Sequence, residues 1–292
     1  MRQPIYPNVK VIGLKVFVFF SFLLLTCGFP KAYSKGEDVS DLSNGKLFIH
    51  GGGSISQQQR AKFVELAGGR TAKIVVVPTA LPDDKIHEEE IKKRFAKNWH
   101  LNNVTILHTR DRVVANSPEF VAALKSANGV WLGGGRQWRY ADAYLDTEFH
   151  KELFAALRRG AVIGGSSAGA SIIASFLVRG SPGTVRNPEG DNRKVIARGY
   201  TRGFGLLSHS AIDQHVDARD RTDDLKEVIT SNPELLGLGI DQGAAVIIVQ
   251  HSITVMDGNI AIWNAADRGS ADSYTLRDGD TFDLISRTRT AR

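Results

Sequence analysis

The chain has 292 residues, enough to bury one large α/β core or two small ones. At 42% hydrophobic and 23% charged it is too apolar for an intrinsically disordered protein. Its formal charge of +6 owes much to residues 1–34, which hold Arg2, Lys10, Lys15 and Lys31 and no acid; the remaining 33 bases against 31 acids argue against a nucleic-acid binder, which needs a clustered basic face.

The first 34 residues have the pattern of a secretory signal peptide. Basic residues up to Lys15 precede the apolar run VFVFFSFLLL (16–25), and the small-x-small triplet Ala32-Tyr33-Ser34 marks a cleavage site. The run is short for a membrane span, which needs roughly 20 apolar residues. The expected localisation is therefore secreted or periplasmic, with no membrane span after cleavage. The alternatives are an uncleaved anchor and a lipoprotein attached at Cys27, the latter disfavoured by Thr26 before the cysteine. Cys27 is the single cysteine, so the mature chain has no disulfide, no thiolate metal site and no cysteine nucleophile. Residues 35–45 read as a polar linker, leaving 46–292 as one domain without repeats.

Strand-like and helix-like segments alternate from there. KLFIH (46–50) ends in Gly51-Gly52-Gly53, and a helical pattern runs from Ser56 to Leu66. KIVVVPTA (73–80) is a β-branched run of the kind found in a strand covered on both faces. A charged helix follows, with Glu88, Glu89 and Glu90 ahead of Lys92, Lys93 and Arg94, an order that suits the helix dipole. VTILHT (104–109) is a third strand, and Ser117-Pro118 opens a helix. GVWLGGG (129–135) is a fourth strand, Glu148 to Arg159 is an amphipathic helix, and AVIGG (161–165) is a fifth strand that leads into a small-residue helix from Ala168 to Leu177. Such alternation predicts a mostly parallel sheet with helices on both faces. Beyond it lie a polar loop (179–194), a helix (223–232) and the strands LLGLGID, AAVIIVQ and ITVMDGN, the last with a hairpin signal at Asp257-Gly258.

Gly165-Ser166-Ser167-Ala168-Gly169 reads as G-x-S-x-G with Ser167 at its centre; Ser166 fits no such frame. In that motif a strained strand-to-helix turn lifts the serine hydroxyl above the sheet edge. Such a nucleophile needs a base, a group to orient the base, and donors for an oxyanion. Ala168 N–H supplies one donor, and LGGGRQW (132–138) is placed to supply another, because open α/β sheets bind ligands at the carboxyl edge of their strands. Among the histidines, His87 and His100 fall on or beside the charged helix. His215 lies in AIDQHVDARDR, crowded by Asp213, Gln214, Asp217, Arg219, Asp220 and Arg221, and is the candidate base.

GGSSAGA, LGGGRQ, DQHVDARDR and GIDQGAA, in that order, resemble the serine peptidases of family S51, which include cyanophycinase and aspartyl dipeptidase; the likeness spans about Lys46 to Gln250 and is nearer to the cyanophycinase branch. The resemblance implies a class I glutamine-amidotransferase-like, flavodoxin-like α/β fold, with Ser167 as nucleophile, His215 as base, and Gly134, Gly135 and Ala168 forming the oxyanion hole. It implies that Gln137, Gln214, Arg219 and Arg221 bind an aspartyl group and its carboxylate, a task that suits the rigid bidentate guanidinium. The substrate it implies is cyanophycin or an aspartyl dipeptide, and it makes a homodimer an expectation. No cofactor or metal is expected, because no histidine–carboxylate set has ligand spacing.

The sequence departs from the family pattern in three places. Gln242 stands where a glutamate ordinarily orients the histidine, and Asp241, Asp213 and Asp217 are candidate substitutes. Arg136 replaces an acidic residue before the glutamine, and a basic residue expected after Arg221 gives way to Asp223 and Asp224. Two other readings compete. One is an α/β-hydrolase esterase with Ser167, Asp241 and His251 in the required chain order. The other is a peptide- or amino-acid-binding protein that has lost activity through Gln242.

Overall fold

The computed structural model describes residues 42–184, 186–191, 193–267 and 270–290. The expected signal peptide, the lipoprotein alternative at Cys27 and most of the predicted linker lie outside these residues; of the linker's last four residues, Leu42 is buried in the core.

Five strands run parallel: β1 (Lys46–His50), β2 (Lys73–Val77), β3 (Asn103–Ile106), β4 (Gly129–Leu132) and β5 (Val162–Ser166). Their spatial order is β3-β2-β4-β5-β1. The helices between them are α1 (Gln57–Leu66), α2 (Glu88–Trp99), α3 (Arg112–Ala115), α4 (Pro118–Lys125), α5 (Gln137–Tyr144) and α6 (Glu148–Arg158). The local signals explain several boundaries. Ser56 and Gln59 form a capping box at the start of α1, and Ser117 caps α4 with Pro118 in its first turn.

The expectation of one mostly parallel sheet is corrected by two mixed sheets. After α7 (Ala168–Ser171) the chain forms β6 (Ala174–Phe176), β7 (Leu207–Gln214), α8 (Asp224–Ser231), β8 (Leu236–Ile240), β9 (Ala245–Val249), β10 (Ser252–Met256), β11 (Asn259–Asp267), β12 (Ser270–Arg277), β13 (Thr281–Asp283) and β14 (Thr288–Thr290). Antiparallel β9, β10, β13 and β14 extend the first sheet to nine strands beyond β1. The second sheet, in the order β12-β11-β8-β7-β6, pairs β6, β7 and β8 in parallel and β8, β11 and β12 antiparallel. The helix expected from Ala168 to Leu177 stops at Ser171, because Ala174–Phe176 pairs with β7 instead.

These layers stack around three apolar clusters. α1 and α2 cover one face of the large sheet, where Phe48, Phe63, Trp99 and Trp131 pack edge to face, Phe63 and Trp131 at 5.1 Å. The other face packs against α4, α5 and α6 and the inner face of the second sheet, and α8 closes that sheet's outer face with Leu225, Val228 and Ile229.

Candidate active site

Strand register brings distant segments to one edge. His50 at the end of β1 pairs with Ser166 at the end of β5 and with Ala245 at the start of β9, while Leu132 at the end of β4 pairs with Gly165. The loops after β1, β4 and β5 and the turn before β9 therefore meet. The second sheet adds the end of β7, where the His215 N–H donates to the Gly51 carbonyl at 2.9 Å.

Ser167 follows β5 directly, with φ +55° and ψ −112°. This is the strained, positive-φ geometry of a nucleophile at a strand–helix turn, costing roughly 1–3 kcal/mol for a residue with a Cβ. The strain is held on both sides: the Ser167 N–H donates to the His50 carbonyl at 3.1 Å, and the Ser167 carbonyl accepts from Ala170 and Ser171. The flanking glycines are required by contact as much as by conformation. A Cβ on Gly165 would lie 2.2 Å from the Gly169 carbonyl oxygen, and one on Gly169 would lie 2.0 Å from that of Leu132.

The Ser167 hydroxyl lies 3.0 Å from His215 Nε2, and His215 Nδ1 lies 2.6 Å from Gln242 Oε1. The carboxamide oxygen accepts the Nδ1–H, which leaves the Nε2 lone pair facing the hydroxyl, the tautomer a general base needs. Burial lowers the His215 pKa, and the Arg219 and Arg221 cations add to that; the Gln242 hydrogen bond and Asp213 pull the other way. The ring is therefore neutral at neutral pH and ready to accept a proton.

Gln242 thus occupies the third position, and none of the three candidate acids contacts the ring. Asp217 accepts the Gln242 N–H at 2.7 Å. Asp241 accepts from Asn259, and burial, aided by repulsion from Asp217, raises its pKa. Asp213 is fully buried and forms a bidentate ion pair with Arg179, which also grips Asp224. The esterase alternative fails on position. His251 follows β9, whose far end pairs with Lys46 at the start of β1, so it lies at the opposite sheet edge from Ser167.

The other predicted residues are placed as follows. Gly133 and Arg136 donate their N–H groups to the Val77 and Ala80 carbonyls, whereas those of Gly134, Gly135 and Ala168 have no acceptor among the described residues. Gly134 comes close to the nucleophile: its Cβ would lie 3.5 Å from Ser167 Cβ. Gly135, at φ +145°, would put a Cβ 2.2 Å from the Ala80 oxygen. Gln214 is buried, with Oε1 3.5 Å from the Ser167 hydroxyl. Arg221 is buried beneath it and donates to the Gln214 carbonyl at 3.1 Å; burial lowers its pKa to about 10. Arg219 is exposed and engages no acid among the described residues. Gln137 is fully buried and donates to the Val178 carbonyl. Arg136 and Arg139 both pair with Glu189 of the polar loop, so the charge reversal at Arg136 is answered within the chain.

Sequence reasoning missed the floor of the site. A Cβ on Gly52 would lie 2.2 Å from His215 Nε2, and one on Gly53 would lie 2.7 Å from Gln242 Cγ. Gln59 links the first turn of α1 to the Gln242–Gly243 turn by donating to the Gly243 carbonyl at 2.7 Å. Three glycines after a strand were the available signal, but their partners lie about 160 to 190 residues away.

The chain is similar to known proteins. Cyanophycinases from Nostoc sp., Synechococcus elongatus and Geminocystis herdmanii are 27%, 28% and 25% identical to this chain over 245, 241 and 207 residues. Those stretches cover 77%, 76% and 68% of this chain and 80%, 73% and 74% of the relatives. The crystal structure of a peptidase from an acI-B1 Actinobacterium superposes with a TM-score of 0.64 at 20% identity, covering 82% of this chain and 96% of that one, and so shares its fold. The model of Peptidase family S51 matches residues 47–256, which include the serine, the histidine and the glutamine of the relay: the chain belongs to Peptidase family S51.

Proposed function

We propose that this protein is an exported serine hydrolase that cleaves a peptide or isopeptide bond beside an aspartyl residue, with Ser167 as nucleophile and His215 as base. The observation that carries the reading is the relay of Ser167 Oγ, His215 Nε2, His215 Nδ1 and Gln242 Oε1 at 3.0 and 2.6 Å on a strained elbow. The name of the cyanophycinase relatives supports cyanophycin as substrate, and the family resemblance adds β-aspartyl dipeptides. The class I glutamine-amidotransferase-like description of the core and a homodimeric state belong to the same proposal.

In the proposed reaction Ser167 Oγ attacks the scissile carbonyl while its proton moves to His215 Nε2. The oxyanion is held by N–H groups from Gly134, Gly135 and Ala168. His215 then protonates the leaving amine, the C–N bond breaks, and an acyl ester on Ser167 remains. Water attacks that ester as His215 Nε2 takes its proton, and the acid product leaves as His215 returns that proton to Ser167 Oγ. Arg219, exposed and without an acid partner among the described residues, is the group available to the substrate's carboxylate. Gln242 orients the base but adds no negative charge to stabilise the imidazolium, which favours a slow enzyme over a fast one; replacing the acid of the serine-protease triad by its amide costs about 10⁴ in rate, a known case.

The test is hydrolysis of cyanophycin and a panel of α- and β-aspartyl dipeptides by the wild type, Ser167→Ala and Gln242→Glu, following amine release. Cleavage that requires Ser167 supports the reading, and a gain in Gln242→Glu identifies the missing charge. No cleavage by any of the three would favour the binding-protein alternative.

A further inference from the structure

His50 takes no part in the proton relay, yet it touches both halves of it. It ends β1 at the edge where the loops converge, with its side chain fully buried. Its carbonyl accepts the Ser167 N–H at 3.1 Å. Its ring Nδ1 accepts the Gly52 N–H at 3.1 Å, and the Ser166 hydroxyl lies 3.1 Å from the same nitrogen. Gly52, at φ +101°, lies against the base so closely that a Cβ there would be 2.2 Å from His215 Nε2. The carbonyls on either side of that contact are engaged as well: Gly51 accepts the His215 N–H and Gly52 accepts the Gly243 N–H, both at 2.9 Å.

We propose that His50 is a positioning residue. By accepting the Gly52 N–H on an unprotonated Nδ1 while its carbonyl holds the Ser167 N–H, it fixes the separation of Ser167 Oγ from His215 Nε2. The role rests on Ser167 and His215 being the reacting pair.

The chemistry demands one tautomer. A ring nitrogen that accepts from a backbone N–H carries no proton, so the neutral imidazole keeps its hydrogen on Nε2. Nε2 is buried and meets no acceptor at hydrogen-bonding geometry among the described residues, while the Gln59 side chain, held by Ser56 and Gly243, is close enough to raise the ring's pKa. An unsatisfied buried N–H is a cost that an apolar side chain would avoid. The surrounding layer is apolar, with Phe48, Val162, Ala245 and Ile247 in one cluster. A histidine in that layer is accounted for by its other nitrogen, the acceptor that holds Gly52. Burial first, then the neighbouring His215, lowers its pKa to about 4 against the opposing pull of Gln59 and Asp257, so the acceptor persists at neutral pH. Without it the Gly52 N–H is orphaned, and the turn can satisfy that N–H only by rotating against the His215 ring.

The test combines a spectroscopic signature with a rescue. Histidine-selective ¹⁵N labelling of the full chain reports ring tautomers in the wild type, His50→Leu and His50→Asn, and phosphonylation of Ser167 by a fluorophosphonate reports its reactivity. The expected result is the Nε2–H tautomer for His50 from pH 6 to 8. His50→Leu shifts the His215 ring resonances and slows phosphonylation about 10²-fold, the scale of a 1 Å misplacement. His50→Asn, whose Oδ1 takes the place of Nδ1, keeps the rate within about tenfold of wild type, a bound set by that same scale. An Nδ1–H tautomer overturns the proposal, as does a wild-type rate with unchanged His215 resonances in His50→Leu. Equal slowing in both variants, in step with their melting temperatures, also overturns it, because His50 would then serve the fold alone. If wild-type Ser167 proves unreactive, the hydrolase reading fails, and the His50 tautomer and His215 shift still decide whether His50 positions the base.

Discussion

On the ring side of His215 stands one neutral carboxamide, Gln242, accepting a 2.6 Å hydrogen bond. On its backbone side lies a set of charges: Arg179 gripping Asp213 and Asp224, with Arg221 3.6 Å from Asp213. Each side could have supplied a carboxylate to the imidazole, and neither does. The acids nearest the base hold the chain that carries it, through Arg179 behind Gln214 and through Asp217 on the Gln242 backbone. Proximity of an acid to a histidine therefore says little about the proton. What decides the matter is which atom of the acid is already engaged.

The comparison separates stability from catalysis, and its sharpest break is Asp213→Asn. Removing that charge leaves Arg179 buried with a weakened partner, so unfolding should be easier by about 3–5 kcal/mol in a denaturant titration, the cost of breaking a buried pair. Gln242→Ala, by contrast, should melt close to wild type while losing activity. A smaller effect follows from pH. The His50 pKa falls from 6.5 to about 4 in the folded chain, so between those values the unfolded state binds the extra proton more readily. Stability is then intact above pH 6.5 and falls by roughly 3 kcal/mol as the pH drops toward 4; buried His150, also shifted downward, acts in the same direction. Thermal melting across pH 4 to 8 checks the sign.

Two substitutions bear on the ring side. Gln242→Glu should raise kcat/KM at least tenfold, a gain of about 1.4 kcal/mol in transition-state stabilisation, and move the acid limb of its pH profile upward, because a carboxylate raises the His215 pKa. An unchanged profile would show that the third position does not influence the proton. Arg219→Ala has the smallest expected effect on the fold, within about 0.5 kcal/mol for an exposed side chain, while raising KM for an acidic substrate. A KM that does not move would remove Arg219 from the substrate site.

The elbow was legible because its determinants are local: five residues carry the glycine requirement, the strand before them is a continuous apolar run, and the serine frame is unique. His215 was legible from the polar residues that crowd it in AIDQHVDARDR, and Gln242 through motif resemblance. The second sheet was legible only in part: LLGLGID reads as a strand and is β8. β7 reads LSHSAIDQ, without clean alternation, and becomes a strand through pairing with β6 and β8, which lie far away in sequence. α5 was hidden for a similar reason: it buries Arg139, whose charge is met by Glu189 and by the Ala80 carbonyl. The glycine floor under His215 also depends on contacts between distant segments, and a run of three glycines does not say what will press against it.

The measurement that bears most directly on the central claim is peptide mapping of the chain after fluorophosphonate treatment, in wild type and in His215→Ala. The account predicts one adduct, on Ser167, formed at least 10²-fold more slowly without the histidine. An adduct on Ser166 or another serine, or an equal rate in His215→Ala, would contradict it.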